Sequence, residues 1–135
     1  YYYSGRDEER QKTDSEYADD LEQWLGGIKP VKIIIDPSAA SFIAELKKRG
    51  YAIKKAKNDV LDGIRFVASL LNQGKIAISD QCPNTIKEFG SYIWDQKASE
   101  RGEDKPVKLH DHAMDALRYF CYTIIRKPGG ISILK

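Results

Sequence analysis

Val31-Lys32-Ile33-Ile34-Ile35-Asp36-Pro37 is the stretch on which the fold turns. The apolar, β-branched run from Val31 to Ile35 reads as a strand buried on both faces, the pattern of a parallel sheet covered by helices. Asp36-Pro37 then reads as a helix start, with Pro37 at the first helical position and Asp36 as its cap. The same placement puts Asp36 at the C-terminal end of a strand. In open parallel sheets functional groups gather beyond those ends. Asp36 is therefore both a candidate cap and a candidate site residue.

Working outward, the remaining segments alternate in type. Tyr1 to Ser4 reads as the end of a strand. Thr13-Asp14-Ser15-Glu16 is a capping box that starts a helix carrying Tyr17, Leu21 and Trp24 on one face, and Gly26-Gly27 stops it. A helix after Asp36 is expected to run to about Arg49 and to end at Gly50. Tyr51 to Ala56 reads as a second strand. Asp59 can cap a helix through Leu71, built on Val60, Ile64, Val67 and Leu71. Gly74 ends that helix, and Lys75 to Ser79 reads as a third strand. Pro83 opens a helix expected to run through Phe89, Tyr92 and Trp94, and Trp94 and Tyr119 read as core residues rather than base-stacking platforms. Residues 97–107 read as an exposed loop. The last helix is expected to start near Asp111 and to bury Ala113, Ala116, Leu117, Phe120, Cys121 and Ile124. Lys127-Pro128-Gly129-Gly130 marks its end, and Ile131 to Leu134 is a short strand or a tail. Strands alternating with helices point to an α/β fold with a mostly parallel sheet flanked by helices.

The densest chemistry lies at the head of that last helix, Leu109-His110-Asp111-His112-Ala113-Met114-Asp115-Ala116-Leu117-Arg118-Tyr119. His112 and Asp115 are three apart and share a helix face. A carboxylate and an imidazole on one face beside an apolar stripe suit a divalent metal ion. Asp111 reads equally well as the helix cap. Asp115 sits in the first turn, where a carboxylate favours the dipole. It also borders the apolar stripe, where a carboxylate is costly unless it is paired or bound to metal.

Composition narrows the classes. The chain has 135 residues, enough for one domain with a sizeable core, 41% hydrophobic and 31% charged. Cys82 and Cys121 lie far apart and match no zinc spacing, which leaves two reduced thiols of a cytoplasmic protein as the plain reading. No apolar run reaches the ~20 residues of a membrane span, and no signal-peptide pattern opens the chain. The net charge of +2 hides an asymmetry, since residues 1–24 are acidic and the rest is basic. Lys47, Lys48, Arg49, Lys54, Lys55, Lys57 and Arg65 fall within residues 44–65. Such a basic surface suits a phosphate backbone, and it equally suits a solvated helix end and a guarded edge strand. No phosphate-cradling glycine loop, dinucleotide fingerprint or G-x-S-x-G elbow is present, which argues against nucleotide hydrolysis within these residues.

Several short segments, in order and spacing, resemble one family. They are Tyr2-Tyr3-Ser4-Gly5-Arg6 with Lys12-Thr13-Asp14, then Ile34-Ile35-Asp36-Pro37-Ser38, then Lys57-Asn58-Asp59-Val60 with Gly63-Ile64, and Tyr92-Ile93-Trp94-Asp95. The last and most specific is Arg101-Gly102-Glu103-Asp104-Lys105-Pro106-Val107-Lys108 running into Asp111 to Tyr119. From Tyr1 to about Lys127 the chain resembles the C-terminal nuclease domain of the terminase large subunits of tailed phages and prophages, the DNA-packaging motors.

The resemblance implies an RNase H-like fold, a mixed sheet flanked by helices, with the first strand or strands outside this sequence. It implies one nuclease domain over residues 1–135, without the ATPase domain. It implies a metal-dependent endonuclease that cuts concatemeric double-stranded DNA with two Mg²⁺ or Mn²⁺ ions. Asp36 and Asp115 carry over as ligands, and His112 as a ligand or water-orienting group at the site's edge. The family's first acidic ligand belongs to the first strand, so the site is expected to be incomplete within these residues and cleavage by them reduced or absent. Without that strand the edge of Val31 to Ile35 is open to pairing with a second copy. Lys54, Lys55, Lys57 and Lys108 are candidate phosphate contacts. The implied partners are double-stranded DNA, the terminase small subunit and the portal protein, in the cytoplasm of the bacterial host. Two other readings stay open. One is a non-catalytic DNA-binding or packaging module in which both aspartates are caps, and the other is a different RNase H-like nuclease such as a resolvase or transposase.

Overall fold

Local capping decides where the first helix begins. In the computed structural model, which describes residues 10–107 and 109–126, α1 spans Asp14–Leu25. The Thr13 main-chain amide donates to the Glu16 carboxylate at 2.8 Å, and the Glu16 amide donates back to the Thr13 hydroxyl at 3.3 Å. Gly26 stops the helix in the left-handed region at φ 55°, where a side chain would be strained. The described residues fall into two compact units, one ending at Lys55 and the other beginning at Ala56.

The first unit holds α1, β1 (Ile33–Ile35), α2 (Ala40–Lys48) and β2 (Ile53–Lys55). β1 and β2 pair in parallel, Ile33 opposite Ile53 and Ile35 opposite Lys55. The strand is shorter than the β-branched run, because pairing begins only where Ile33 donates to the Ala52 carbonyl at 2.9 Å. Val31 lies ahead of the ladder and is 88% exposed. Ile33 to Ile35 are half-buried rather than buried on both faces. α1 packs on α2 through buried Ala18, Ile43 and Leu46, with Tyr17 edge-on to Phe42.

Arg49 ties the same two helices. It donates to Asp19 at 2.6 Å, Glu22 at 3.0 Å and Glu45 at 2.8 Å. The bond to Asp19 leads the effects that raise its affinity for a proton above the ordinary arginine range. One cation of the basic run is thus committed to α1 and is no phosphate contact.

The second unit holds α3 (Val60–Asn72), α4 (Pro83–Ser91), α5 (Gln96–Ser99) and α6 (His112–Phe120), the last continuing into a π-turn over Cys121–Ile125. Its core is Val67, Leu70 and Cys121, with Phe66, Leu71, Ile76, Leu117 and Ile125 packed on them. Burial raises the Cys121 thiol above its usual range. The wide turn buries Cys121, Tyr122 and Thr123 in succession, a pattern that the regular helical period would not give. Thr123 uses its place to accept the Lys57 amide at 2.8 Å.

Several expectations are corrected. Lys75 to Ser79 forms no strand, because it has no ladder partner among the described residues. The helix opened by Pro83 ends at Ser91. Trp94 is 49% exposed, not core, and bridges Pro106 in antiparallel fashion. The expected loop over 97–107 instead contains α5, because the Asp95 carboxylate caps the amides of Lys97 and Ala98 at 3.0 and 3.2 Å. α6 buries Asp111, Met114, Arg118 and Cys121, while Ala116 and Phe120 are exposed. The expected strands at Tyr1 to Ser4 and Ile131 to Leu134, and the helix end at Lys127 to Gly130, lie outside the described residues. No helix among the described residues is long and apolar enough to cross a membrane.

Candidate metal centre

Asp36 leaves β1 and turns the chain. Its Oδ1 accepts from the Ser38 amide at 2.8 Å and from the Ser38 hydroxyl at 2.7 Å, a side-chain-closed turn characteristic of aspartate. The Ala39 amide donates to the Asp36 carbonyl at 3.1 Å. α2 therefore starts later than the Asp-Pro signal indicates. Ala39, not Asp36, occupies its N-cap position and makes no side-chain cap bond. The cap reading of Asp36 is overturned, and Pro37 sits in the turn rather than at the first helical position.

His112 and Asp115 stand on the first turn of α6 as their spacing requires. His112 is exposed, and the Asp115 side chain is 19% exposed. Asp115 lies past the N-cap position. Its Oδ1 accepts from Arg118 Nη2 at 2.7 Å, an i,i+3 pair in which the arginine side chain is 3% exposed. Burial works against the Arg118 charge. The bond and attraction to Asp115, with smaller contributions from Tyr119 and Tyr92, carry its proton affinity above the ordinary range. The carboxylate that the apolar stripe could not hold alone is thus held by a buried guanidinium.

Asp111 occupies the N-cap position of α6 but its side chain makes no cap bond. That task falls to Glu88 of α4, a buried carboxylate whose Oε2 accepts the amides of Ala113 at 2.7 Å and Met114 at 3.1 Å. Arg118 and Glu88 are the residues that sequence reading missed. Glu88 is 25 positions from Ala113, so no local pattern could have revealed it. Arg118 carried a signal, its i,i+3 spacing from Asp115.

The candidate phosphate contacts divide. Lys54 and Lys55 are neighbours on β2, half-buried and exposed respectively, so they point to opposite faces. Lys57 is exposed in the second unit. Lys108 lies outside the described residues. Asp36 belongs to the first unit, His112 and Asp115 to the second. Among the described residues no group of three or more His, Cys, Asp or Glu side chains could hold a metal ion. The first unit supplies the Asp36 carboxylate, and the second the Asp115 carboxylate and the His112 imidazole, donors of the kind a hard or borderline divalent ion takes.

Comparison with known proteins places the chain. The profile described as terminase RNaseH-like domain matches residues 1–122. The large terminase subunit of Escherichia phage T5 is 32% identical over 130 residues, covering 93% of this chain and 30% of that protein. The large terminase of a thermophilic bacteriophage, solved in complex with ADP, superposes with a TM-score of 0.90 at 55% identity, covering 94% of this chain and 32% of that one. The same terminase in complex with ATP-gamma-S gives 0.88 at 56% identity, covering 92% and 32%. The chain thus spans about a third of the length of these relatives. With an RNase H-like fold and a profile match that takes in Asp36, His112 and Asp115, the chain belongs to the family of terminase RNase H-like domains.

Proposed function

We propose that this chain is the nuclease part of a DNA-packaging terminase and contributes Asp36, Asp115 and His112 to a divalent-metal site that hydrolyses double-stranded DNA. The observation that carries this reading is Asp115. It is a carboxylate in the first turn of α6, past the N-cap position, and is kept in place by a buried arginine. Asp36 supports it, since it too is relieved of helix capping. Neither aspartate occupies an N-cap position, which speaks against the reading of both as mere caps.

Asp36 and Asp115 would hold Mg²⁺ or Mn²⁺, with His112 at the edge shading the preference toward Mn²⁺. Ions held there would supply Lewis-acid chemistry for hydrolysis of a phosphodiester by water. The protein's own part is to fix its donors. Ser38 orients Asp36 through two hydrogen bonds, and Arg118 orients Asp115 through one. Of the candidate lysines, exposed Lys55 and Lys57 are the ones placed to add charge toward a DNA backbone, so binding would fall steeply with salt. Cutting concatemers needs little base readout, and no recognition helix is evident in the sequence. In the intact motor the partners are the small subunit and the portal protein, in the cytoplasm of the bacterial host.

Nicking of supercoiled plasmid by the intact protein tests the reading. Cleavage should require Mn²⁺ or Mg²⁺, stop with chelator, and be lost in Asp36→Ala and in Asp115→Ala. Wild-type cleavage by either variant would refute the assignment.

A further inference from the structure

We infer that Arg118 is the positioning residue for Asp115, its guanidinium spanning from that carboxylate to the main chain ahead of α3 through a space that Gly63 leaves open. The inference rests on the proposed metal role of Asp115 and goes beyond it, to what sets the carboxylate's direction.

The two ends of the guanidinium do different things. Nη2 donates to Asp115 Oδ1 at 2.7 Å. Nη1 donates to the carbonyl of Asn58 at 2.8 Å and to that of Asp59 at 3.1 Å. One rigid plane therefore references Asp115 to the backbone just before α3. A planar fork fixes the direction between its two ends, whereas the three rotatable donors of an ammonium share one nitrogen and fix none. The Asp59 side chain, expected to cap α3, makes no cap bond there. Its carbonyl serves Arg118 instead.

Gly63 makes the route possible. A Cβ built at that position would stand 2.7 Å from Arg118 Cγ and 2.8 Å from its Cδ. Both contacts are with the arginine stem, which is packed at 3% exposure and pinned at its far end. The stem has little room to give. Even the smallest side chain at 63 would move the guanidinium and, through it, Asp115. Two segments far apart in sequence, Asn58 to Gly63 and Asp115 to Arg118, thus act as one device.

An aspartate in the first turn of a helix has more than one accessible χ1 rotamer. The bond to Arg118 selects among them before any ion arrives. A role confined to stability would not require that selection.

The test uses the intact protein as wild type, Arg118→Lys, Gly63→Ala and Asp115→Asn. The χ1 rotamer of selectively labelled Asp115 is read from three-bond couplings without metal, and plasmid nicking is read against Mn²⁺ and DNA concentration. Wild type should show one rotamer. Arg118→Lys keeps charge and stem but should show averaged couplings, and Gly63→Ala should do the same with Arg118 unchanged. Maximal nicking should fall about tenfold or more in both, with half-saturation by DNA moving less than about twofold. Circular dichroism checks folding, and Arg118→Lys decides alone if Gly63→Ala does not fold. A single rotamer and unaltered nicking in Arg118→Lys, with Asp115→Asn inactive, would overturn the positioning role and leave the metal reading standing. Wild-type nicking by Asp115→Asn would remove the metal reading and the positioning role with it.

Discussion

The Glu88 carboxylate of α4 accepts the main-chain amide of Ala113 in the first turn of α6 at 2.7 Å, although 25 residues separate them. The helix that presents His112 and Asp115 is thus capped from another helix rather than by its own N-cap residue. Glu88 is 3% exposed, so its loss leaves buried amides without an acceptor. Glu88→Ala should destabilise the protein by roughly 2 kcal/mol, read from urea unfolding. Glu88→Gln, which keeps one acceptor oxygen, should cost about half as much. An Asp111→Asn change would not reproduce the effect through capping, because the Asp111 side chain makes no cap bond.

Glycine inside a helix ordinarily costs about 1 kcal/mol relative to alanine. At position 63 the sign should reverse. The added Cβ meets the Arg118 stem at 2.7 Å, and overpacking of this kind costs about 1–3 kcal/mol. Gly63→Ala should therefore lower the unfolding midpoint. In an Arg118→Ala background the same change should be neutral or stabilising, since the clash is gone.

The capping box of α1 gives a pH signature. Glu16 is held below the usual carboxylate range, first by the Thr13 amide and then by the Thr13 hydroxyl. A carboxyl whose folded-state value is depressed stabilises above its unfolded value and loses that contribution as pH falls through the folded one. The difference in thermal midpoint between wild type and Glu16→Gln should be full near about pH 7 and should shrink toward about pH 3. A difference that grows on acidification would contradict the capping geometry.

His110 precedes α6 with φ 52°, a conformation that costs a non-glycine residue roughly 1 kcal/mol. His110→Gly should be stabilising by up to about that amount. His110→Val should cost a further 1 kcal/mol or so. If His110 took part in the site, the glycine variant would lose nicking as well. Nicking should be retained.

Local chemistry was legible in the sequence and distant chemistry was not. The Thr13 to Glu16 box and the Gly26 stop are set by neighbours within one turn, and they appear where the sequence places them. The parallel pairing of Ile33–Ile35 follows from β-branched residues with helical crossings between them. Asp36-Pro37 misleads because an aspartate before proline can close a turn on Ser38 as readily as cap a helix. α6 misleads because an arginine reads as a surface residue. Its charge is met by Asp115 and two carbonyls, so it is buried, and the exposed face shifts to Ala116 and Phe120. The candidate site residues were legible as types and spacings. What holds them, Glu88 and Arg118, depends on tertiary contacts that no local pattern encodes.

Isothermal titration of Mn²⁺ into the intact protein, as wild type, Asp36→Ala and Asp115→Ala, tests the central claim most directly. The claim is that both aspartates are ligands of one metal site. Wild type should bind, and each variant should lose the same binding event while remaining folded by circular dichroism, with Asp115→Ala lowering the unfolding midpoint because it leaves the buried Arg118 without its carboxylate. Undiminished Mn²⁺ binding in either folded variant would contradict it.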